Sequence, residues 1–177
     1  MAKSRRRYRR YYKKTSWSSN ITDIGPNTFT LEPGSFSAAE YTLVTNPAYT
    51  NQVGNNIITI KNVEVAMNFD AAGQQNTSPI ENLQFYIMYV PESMAVGTDF
   101  ATKHPEYIMA MRYYGEPGND TASNSFYAPA YKIKTRLARK LNTGDRIILF
   151  IRGANTSTSG TVNATYGGIC RWWTKAN

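Results

Sequence analysis

The sequence has almost none of the residues on which most catalytic and metal sites depend. Its 177 residues include one cysteine, Cys170, and one histidine, His104. A single cysteine cannot close an internal disulfide, and one Cys with one His cannot supply a zinc ligand set. The twelve acids are scattered, and no glycine-rich phosphate loop occurs. We therefore expect no enzymatic activity, no metal and no cofactor, with His104 in a loop and Cys170 as an inert, packed thiol.

Long apolar runs and helical periodicity are also missing. The longest run of aliphatic and aromatic residues, 147–151, is far shorter than the ~20 residues that span a bilayer, so we expect no membrane insertion. Only 98–104 suggests a short helical turn, and no alternation of strands with helices is visible. These absences predict an all-β chain.

What the sequence does contain is period-2 alternation between turn-rich segments. The alternating or continuous apolar segments are 57–69, 82–90, 107–114, 131–141, 146–152 and 161–174, with weaker ones at 27–32 and 38–45. About eight strands joined by long Pro/Asn/Gly loops predict an eight-stranded antiparallel jelly-roll sandwich. We assign this single domain to 36–177, after a Ser/Asn/Pro-rich lead-in at 15–35 and an arm at 1–14.

Several local features follow from the same pattern. The apolar phase changes within 57–69, which predicts a bulge near Lys61-Asn62. Gly167-Gly168 inside the last strand predicts a bulge or a close approach. The continuous run 146–152 predicts a strand that is covered on both faces. The turn Asn142–Asp145 predicts a hairpin with 131–141, in which Leu137 belongs to the inward phase.

Positive charge is concentrated in the first 14 residues. This arm holds eight of the 20 Lys and Arg and none of the 12 acids, so the remainder has twelve charges of each sign. Cations neutralise phosphates, interleaved aromatics stack on unpaired bases, and mutual repulsion predicts a disordered arm. The same run can act as a nuclear localisation signal. The predicted nucleic-acid-binding residues are Lys3, Arg5, Arg6, Arg7, Tyr8, Arg9, Arg10, Tyr11, Tyr12, Lys13 and Lys14.

Two further features of the body are candidates for binding. One is a stripe of cations that alternate with apolar residues: Lys132, Lys134, Arg136 and Lys140. This stripe is either a solvated strand face or a second surface that contacts nucleic acid or a subunit. The adjacent Trp172 and Trp173 fall on opposite faces of one strand, so one indole must leave the core. Either a loop or a neighbouring subunit could cover it, and we favour a subunit contact.

The combination resembles the capsid proteins of small circular single-stranded DNA viruses, the circovirus-like agents that encode a replication initiator and one coat protein. The segments that carry the resemblance are the arm MAKSRRRYRRYYKK, the strand at 58–65, the segment 134–152 and the closing 168–173. The resemblance implies a jelly-roll subunit, sixty of which close an icosahedral shell with the arms turned inward onto the genome. It also implies nuclear import by the host, a virion location, and a host attachment factor of unknown identity.

Two other interpretations remain open at the level of sequence. One is a cellular β-barrel with a basic tail that binds single-stranded nucleic acid, which should carry a basic, aromatic face on the barrel itself. The other is the coat protein of a small RNA virus, which shares the architecture and differs in the nucleic acid.

Overall fold

Two antiparallel β-sheets pack face to face in the computed structural model of the protein. The structure describes residues 16–47, 57–70, 80–115 and 131–176. The arm at 1–14, its predicted binding residues and its predicted disorder lie outside the described residues. Within these ranges lie a one-turn helix, α1 (Phe100–Lys103), a 3₁₀ turn (Pro105–Tyr107), and the strands β1 (Ser18–Leu31), β2 (Ser35–Thr45), β3 (Ile58–Asp70), β4 (Ile80–Val90), β5 (Ile108–Gly115), β6 (Tyr131–Lys134), β7 (Arg139–Leu141), β8 (Arg146–Asn155) and β9 (Val162–Ala176).

The order of the strands is that of a jelly roll. The first sheet has the order β1-β9-β3-β6, with β7 also paired to β3, and the second sheet has the order β2-β8-β4-β5. Because β6 and β7 pair with successive parts of β3, they form one interrupted strand. Counted in this way the sandwich has eight strands, with two four-stranded sheets between which the chain repeatedly crosses. The predicted eight-stranded antiparallel jelly roll is confirmed.

The interruption between β6 and β7 lies opposite a bulge in β3. Asn62 has a left-handed backbone with φ of 51°, and the pairing of β3 with β9 shifts register between Lys61 and Glu64. The predicted bulge is therefore confirmed. On the neighbouring strand, the Oγ1 of Thr135 accepts a hydrogen bond from the Leu137 N–H, which turns the chain locally. The inward phase predicted for Leu137 is wrong, because this turn leaves its side chain 56% exposed.

The turn at 142–145 joins the two sheets and does not close a hairpin. It leads from β7 in the first sheet to β8 in the second, whose partners are β2 and β4. The Gly144 N–H donates to the carbonyl of Asn46, and the Asn46 N–H donates to the carbonyl of Asp145. These bonds hold the turn against the end of β2. The predicted hairpin is wrong. The turn-forming residues at 142–145 indicate that the chain changes direction, but they do not determine which strand β8 pairs with.

The segment at 15–35, predicted as a lead-in outside the domain, contains β1. This edge strand of the first sheet pairs with β9 from Ser18 to Leu31, so the body begins well before 36. A register shift between Ile24 and Asn27 moves the buried residues from the even phase at Ile24 to the odd phase at Phe29 and Leu31. That change of phase at Gly25-Pro26 hides the first half of the strand from a search for simple alternation.

The outer face of the second sheet has an apolar cover. Tyr86 and Met88 of β4 and Ile148 and Phe150 of β8 form a cluster with Phe100 of α1. The other side of β8 faces the core between the sheets, which confirms that this strand is covered on both faces. The helical turn predicted within 98–104 is confirmed by α1. No helix in the described ranges has the length and apolarity to cross a membrane.

Gly168 is required by the close approach of β9 to β3. A Cβ atom at this position would collide with the carbonyl oxygen of Ala66 and with the Cα of Met67. At Gly167 a Cβ would lie 3.2 Å from the carbonyl oxygen of Ile24. The close approach predicted at Gly167-Gly168 is confirmed, and it seats β9 between β1 and β3 in the first sheet.

Candidate nucleic-acid interface

The outer face of the first sheet carries the body's densest positive charge. Successive residues of a strand point to opposite sides, so buried residues fix the inward phase of each strand. Ile60 fixes it in β3 before the bulge, Val65 fixes it after the bulge, and Cys170 fixes it in β9. Strand partners share a face, and the register extends the outward phase across the sheet. The outward cations are Lys61 on β3, Lys132 and Lys134 on β6, Lys140 on β7, and Arg171 and Lys175 on β9.

Three of the four residues of the predicted basic stripe lie on this face. Lys132 pairs with Ala66, Lys134 with Glu64 and Lys140 with Thr59, and all three lysines are exposed. Arg136 is exposed within the interruption between β6 and β7. The stripe therefore lies along one edge of a wider surface, although the interruption separates Lys140 from the two lysines of β6.

Sequence reasoning missed the remaining cations of the face, Lys61, Arg171 and Lys175. They are distant in sequence from the stripe, and the register of β9 against β3 brings them to it. The sequence did contain one sign of them. Arg171 and Lys175 alternate with inward-facing residues of β9, just as Lys132 and Lys134 alternate with buried residues of β6. No periodicity within one strand could have shown that the two sets share a surface.

Two indole rings accompany these cations. The Nζ of Lys61 lies 3.8 Å from the centroid of the Trp17 ring, and the Nζ of Lys175 lies 6.0 Å from it. The guanidinium of Arg171 lies 5.3 Å from the centroid of Trp173. Both indoles are half-buried. Cations over aromatic faces are held by the ring quadrupole, so the rings help to fix the positive groups in place.

The two terminal tryptophans lie on opposite faces, as predicted. Trp172 points inward, where it packs against the core and its Nε1–H donates a 3.0 Å hydrogen bond to the Oγ1 of Thr22. Trp173 points outward, opposite Ser19 of β1 and Lys61 of β3. Trp172 packs within the chain, so Trp173 is the one of these two residues whose ring points outward. The predicted subunit contact stays a prediction for that residue.

A cleft of about 360 Å³ opens where the two sheets separate between β5 and β6. It is lined by Glu64, Met111, Arg112, Lys132, Ile133 and Lys134. The Nη1 of Arg112 and the hydroxyl of Tyr114 both donate to the carbonyl of Lys132, at 3.3 and 3.0 Å. Three cations against one carboxylate give the cleft a positive balance, and it continues the outer face of the first sheet around its β6 edge.

The cysteine and the histidine, the side chains most often used in catalysis, do not lie on this face. Burial raises the pKa of the Cys170 thiol to about 12, which keeps it protonated and unreactive, and its side chain is fully enclosed as predicted. His104 lies beside α1, where its ring stacks on Tyr107 and its Nδ1 is 3.2 Å from the Glu106 carboxylate. Within the described ranges no three His, Cys, Asp or Glu side chains come together as a metal site.

Comparisons with known proteins give distant structural similarity only. No protein-family model and no curated protein sequence matches the chain. A chain in the structure of infectious bursal disease virus Gt strain aligns with 91% of this chain at 11% identity and a TM-score of 0.27; the aligned part is 41% of that chain. Trichodysplasia spinulosa-associated polyomavirus VP1, in complex with 3'-sialyllactose, aligns with 93% of this chain and 96% of its own, at 10% identity and a TM-score of 0.24. The present chain thus spans less than half of the first of these, and its jelly-roll assignment rests on its own strand order.

Proposed function

We propose that the protein is a viral coat subunit that assembles into a closed shell and packages single-stranded DNA through its arm. The observation that carries the proposal is the combination of an eight-stranded jelly roll with a separate Arg-rich arm. Jelly rolls occur in capsid proteins, lectins and cupins, so the fold by itself does not select a function. The arm supports a capsid protein among these, because eight cations without an acid suit a polyanionic genome.

The proposal extends to the stages before and after assembly. The arm serves as a nuclear import signal for the free subunit and as a genome ligand in the shell. Sixty subunits would present about 480 arm charges, since each arm carries eight. The protein therefore acts as a structural and binding component, located in the virion and, during infection, in the host nucleus, with no catalytic step of its own.

A second candidate function is supported by the cationic outer face of the first sheet. A cellular module that binds single strands is expected to have basic and aromatic residues on its folded body, and Lys61, Trp17 and Trp173 meet that expectation. The architecture favours the coat protein, because the OB-fold that often serves this purpose is a five-stranded barrel, whereas this body is an eight-stranded sandwich.

Sedimentation velocity of the full chain decides between the two candidates. A coat subunit should form a discrete large species with a narrow distribution, visible as uniform particles by negative-stain microscopy. A binding module should sediment as a species near 20 kDa at every salt and protein concentration, and this result would contradict the proposal. Nuclease digestion of nucleic acid extracted from the particles separates DNA from RNA, because a genome destroyed by ribonuclease alone would identify a small RNA virus.

A further inference from the structure

The neutral body is electrically polarised. Outside residues 1–14 the chain has twelve cations and twelve acids, yet six of those cations point outward from the first sheet. Among the acids whose side chains the structure describes, Asp23 and Glu64 lie on the same face. A net charge of zero therefore conceals one strongly positive surface.

The register sets the spacing of these charges. Lys175, Thr59 and Lys140 form one row across β9, β3 and β7, so the two lysines stand about two strand spacings, or ~10 Å, apart. On β6, Lys132 and Lys134 are two residues apart, which is about 7 Å along the strand. Both spacings are short enough for one flexible polyanion to contact the two lysines of a pair together.

The first described aromatic residue after the arm lies beside two of these cations. The Trp17 ring contacts Lys61 and Lys175, and the last cation of the arm, Lys14, is only three residues earlier in the chain. Three residues span at most about 11 Å, so the Cα of Lys14 is tethered within that distance of the Cα of Trp17. A nucleic-acid strand bound by the arm would therefore begin close to the outer face of the first sheet.

We propose that this face binds single-stranded nucleic acid as a continuation of the arm, and that it lines the interior of the shell. The cations would contact phosphates, and Trp173 offers an aromatic surface to unpaired bases, a combination typical of sites for single strands. A second copy of the same face is a poor partner, because like charges directly opposed repel. The inference rests on the proposed function, since it requires the arm and the face to bind one strand.

The test compares substitutions of the face, the arm and an unrelated surface in the full chain. The face variant is K61Q/K140Q/K175Q, and the arm variant is R5A/R6A/R7A. Single variants K140Q and K175Q are matched by K103Q, which removes an exposed lysine of α1 that lies outside the face. Binding of a labelled oligothymidine is measured by fluorescence anisotropy over a range of salt, at protein concentrations where light scattering shows no assembly.

The expected result is additive loss from the face and the arm. Loss of three phosphate contacts should reduce the slope of log K against log salt by about 2 and weaken binding about a hundredfold at 0.1 M salt. Each single face variant should reduce the slope by about 0.7, whereas K103Q should leave it unchanged. W173L should weaken binding of the oligothymidine about five- to hundredfold and affect a duplex less.

The other outcomes show whether the inference, the proposed role of the arm, or both are wrong. If the face variant binds like the wild type while the arm variant loses affinity, the inference is overturned and the role of the arm stands. If the face variant loses affinity and the arm variant does not, the face binds without the arm, which contradicts both the role of the arm and a site continuous with it. If the face variant keeps its affinity but no longer assembles, the face is a contact between subunits and the inference is overturned. If neither variant changes binding, both fail.

Discussion

The hydroxyl group of Tyr89 in β4 donates a 2.7 Å hydrogen bond to the carboxylate of Asp145, at the turn between the two sheets. The same carboxylate accepts hydrogen bonds from the backbone N–H groups of Glu92, at 3.0 Å, and Asn142, at 2.8 Å. Asp145 is buried, with 4% of its surface exposed. A buried carboxylate is stable only when its oxygens are satisfied, so these bonds tie the turn to β4 and direct the chain across the sandwich.

Removing this hydroxyl should destabilise the fold. A hydrogen bond to a charged group contributes about 1.5–3 kcal/mol, so Tyr89→Phe should lower the free energy of unfolding by about that amount, measured by urea denaturation. The control is Tyr113→Phe. Tyr113 is exposed and its hydroxyl donates to the Oδ1 of Asn82, so losing this hydrogen bond should cost less than about 0.5 kcal/mol. Equal effects of the two substitutions would show that the buried carboxylate does not depend on Tyr89.

Replacing glycine by alanine should have opposite effects on stability at two positions, one where the backbone is in close contact and one where there is open space. Gly168→Ala places a Cβ against the backbone of Ala66 and should cost about 1–3 kcal/mol of stability, because β9 must move away from β3. Gly25→Ala meets nothing within 4 Å and should be neutral or stabilise by about 0.4–1 kcal/mol. Thermal denaturation measures both, and a neutral Gly168→Ala would contradict the close packing of β9 on β3.

Much of the fold could be predicted because burial leaves a local trace. Alternation over 82–90 marks β4 as a strand with two different faces, and the change of phase at Lys61-Asn62 marks a bulge, since both depend on residues next to each other in the chain. The pairing of strands has no such trace. The turn at 142–145 suits a hairpin or a crossing equally well, and the choice depends on Asn46 and Tyr89, which are far away in sequence.

The polarity of the body could not be predicted for the same reason. Lys61, Lys140 and Lys175 come from three different strands, and only the register of β3 with β7 and β9 places them on one face. A sum of charges along the chain gives zero and hides this arrangement. The stripe at 132–140 was visible because its members belong to one segment, which the structure then divides between β6 and β7.

Alkaline pH should destabilise the folded protein in two steps. Burial raises the pKa of Cys170 from its ordinary 9.0 to about 12, and burial together with the Asp145 carboxylate raises the pKa of Tyr89 from 10.0 to about 12. Both groups therefore ionise more readily in the unfolded chain, so their contribution to stability is constant below about pH 9 and falls as pH rises toward 12. In Cys170→Ala the decline should begin about one pH unit higher, near pH 10.

Urea denaturation at pH 7, 9, 10 and 11 measures this dependence. The free energy of unfolding of the wild type and of Cys170→Ala should run parallel up to pH 9 and then converge, because only the wild type loses the contribution of a protonated thiol. Parallel curves through pH 11 would show that the thiol ionises as easily in the folded protein as in the unfolded chain, which would contradict its complete burial.

Deleting residues 2–14 should leave the fold unchanged. The deletion removes the eight arm cations but keeps Trp17 and all of β1, so circular dichroism and the melting temperature should match those of the full chain. The control deletion, 2–17, also removes the ring beneath Lys61 and should cost about 0.5–1 kcal/mol through the lost cation–π contact. Loss of the β signal on deleting 2–14 would show that the arm is a structural part of the domain.

Salt dependence should distinguish the two kinds of residue in the arm. If each of its eight cations neutralises one phosphate, the slopes of log K against log salt for the full chain and the 2–14 deletion should differ by about 5 to 6, which is ~0.7 × 8. Substituting Arg5, Arg6 and Arg7 by Ala should reduce the slope by about 2 for every sequence alike. Substituting Tyr8, Tyr11 and Tyr12 by Ala should lower affinity by about 1–3 kcal/mol per stacked base with little change in slope, and should affect single strands more than duplex.

Fluorescence anisotropy at several salt concentrations measures both effects. A difference in slope near 1 between the full chain and the deletion would place the binding surface on the body, because an arm engaged through all its cations must release counterions in proportion to them.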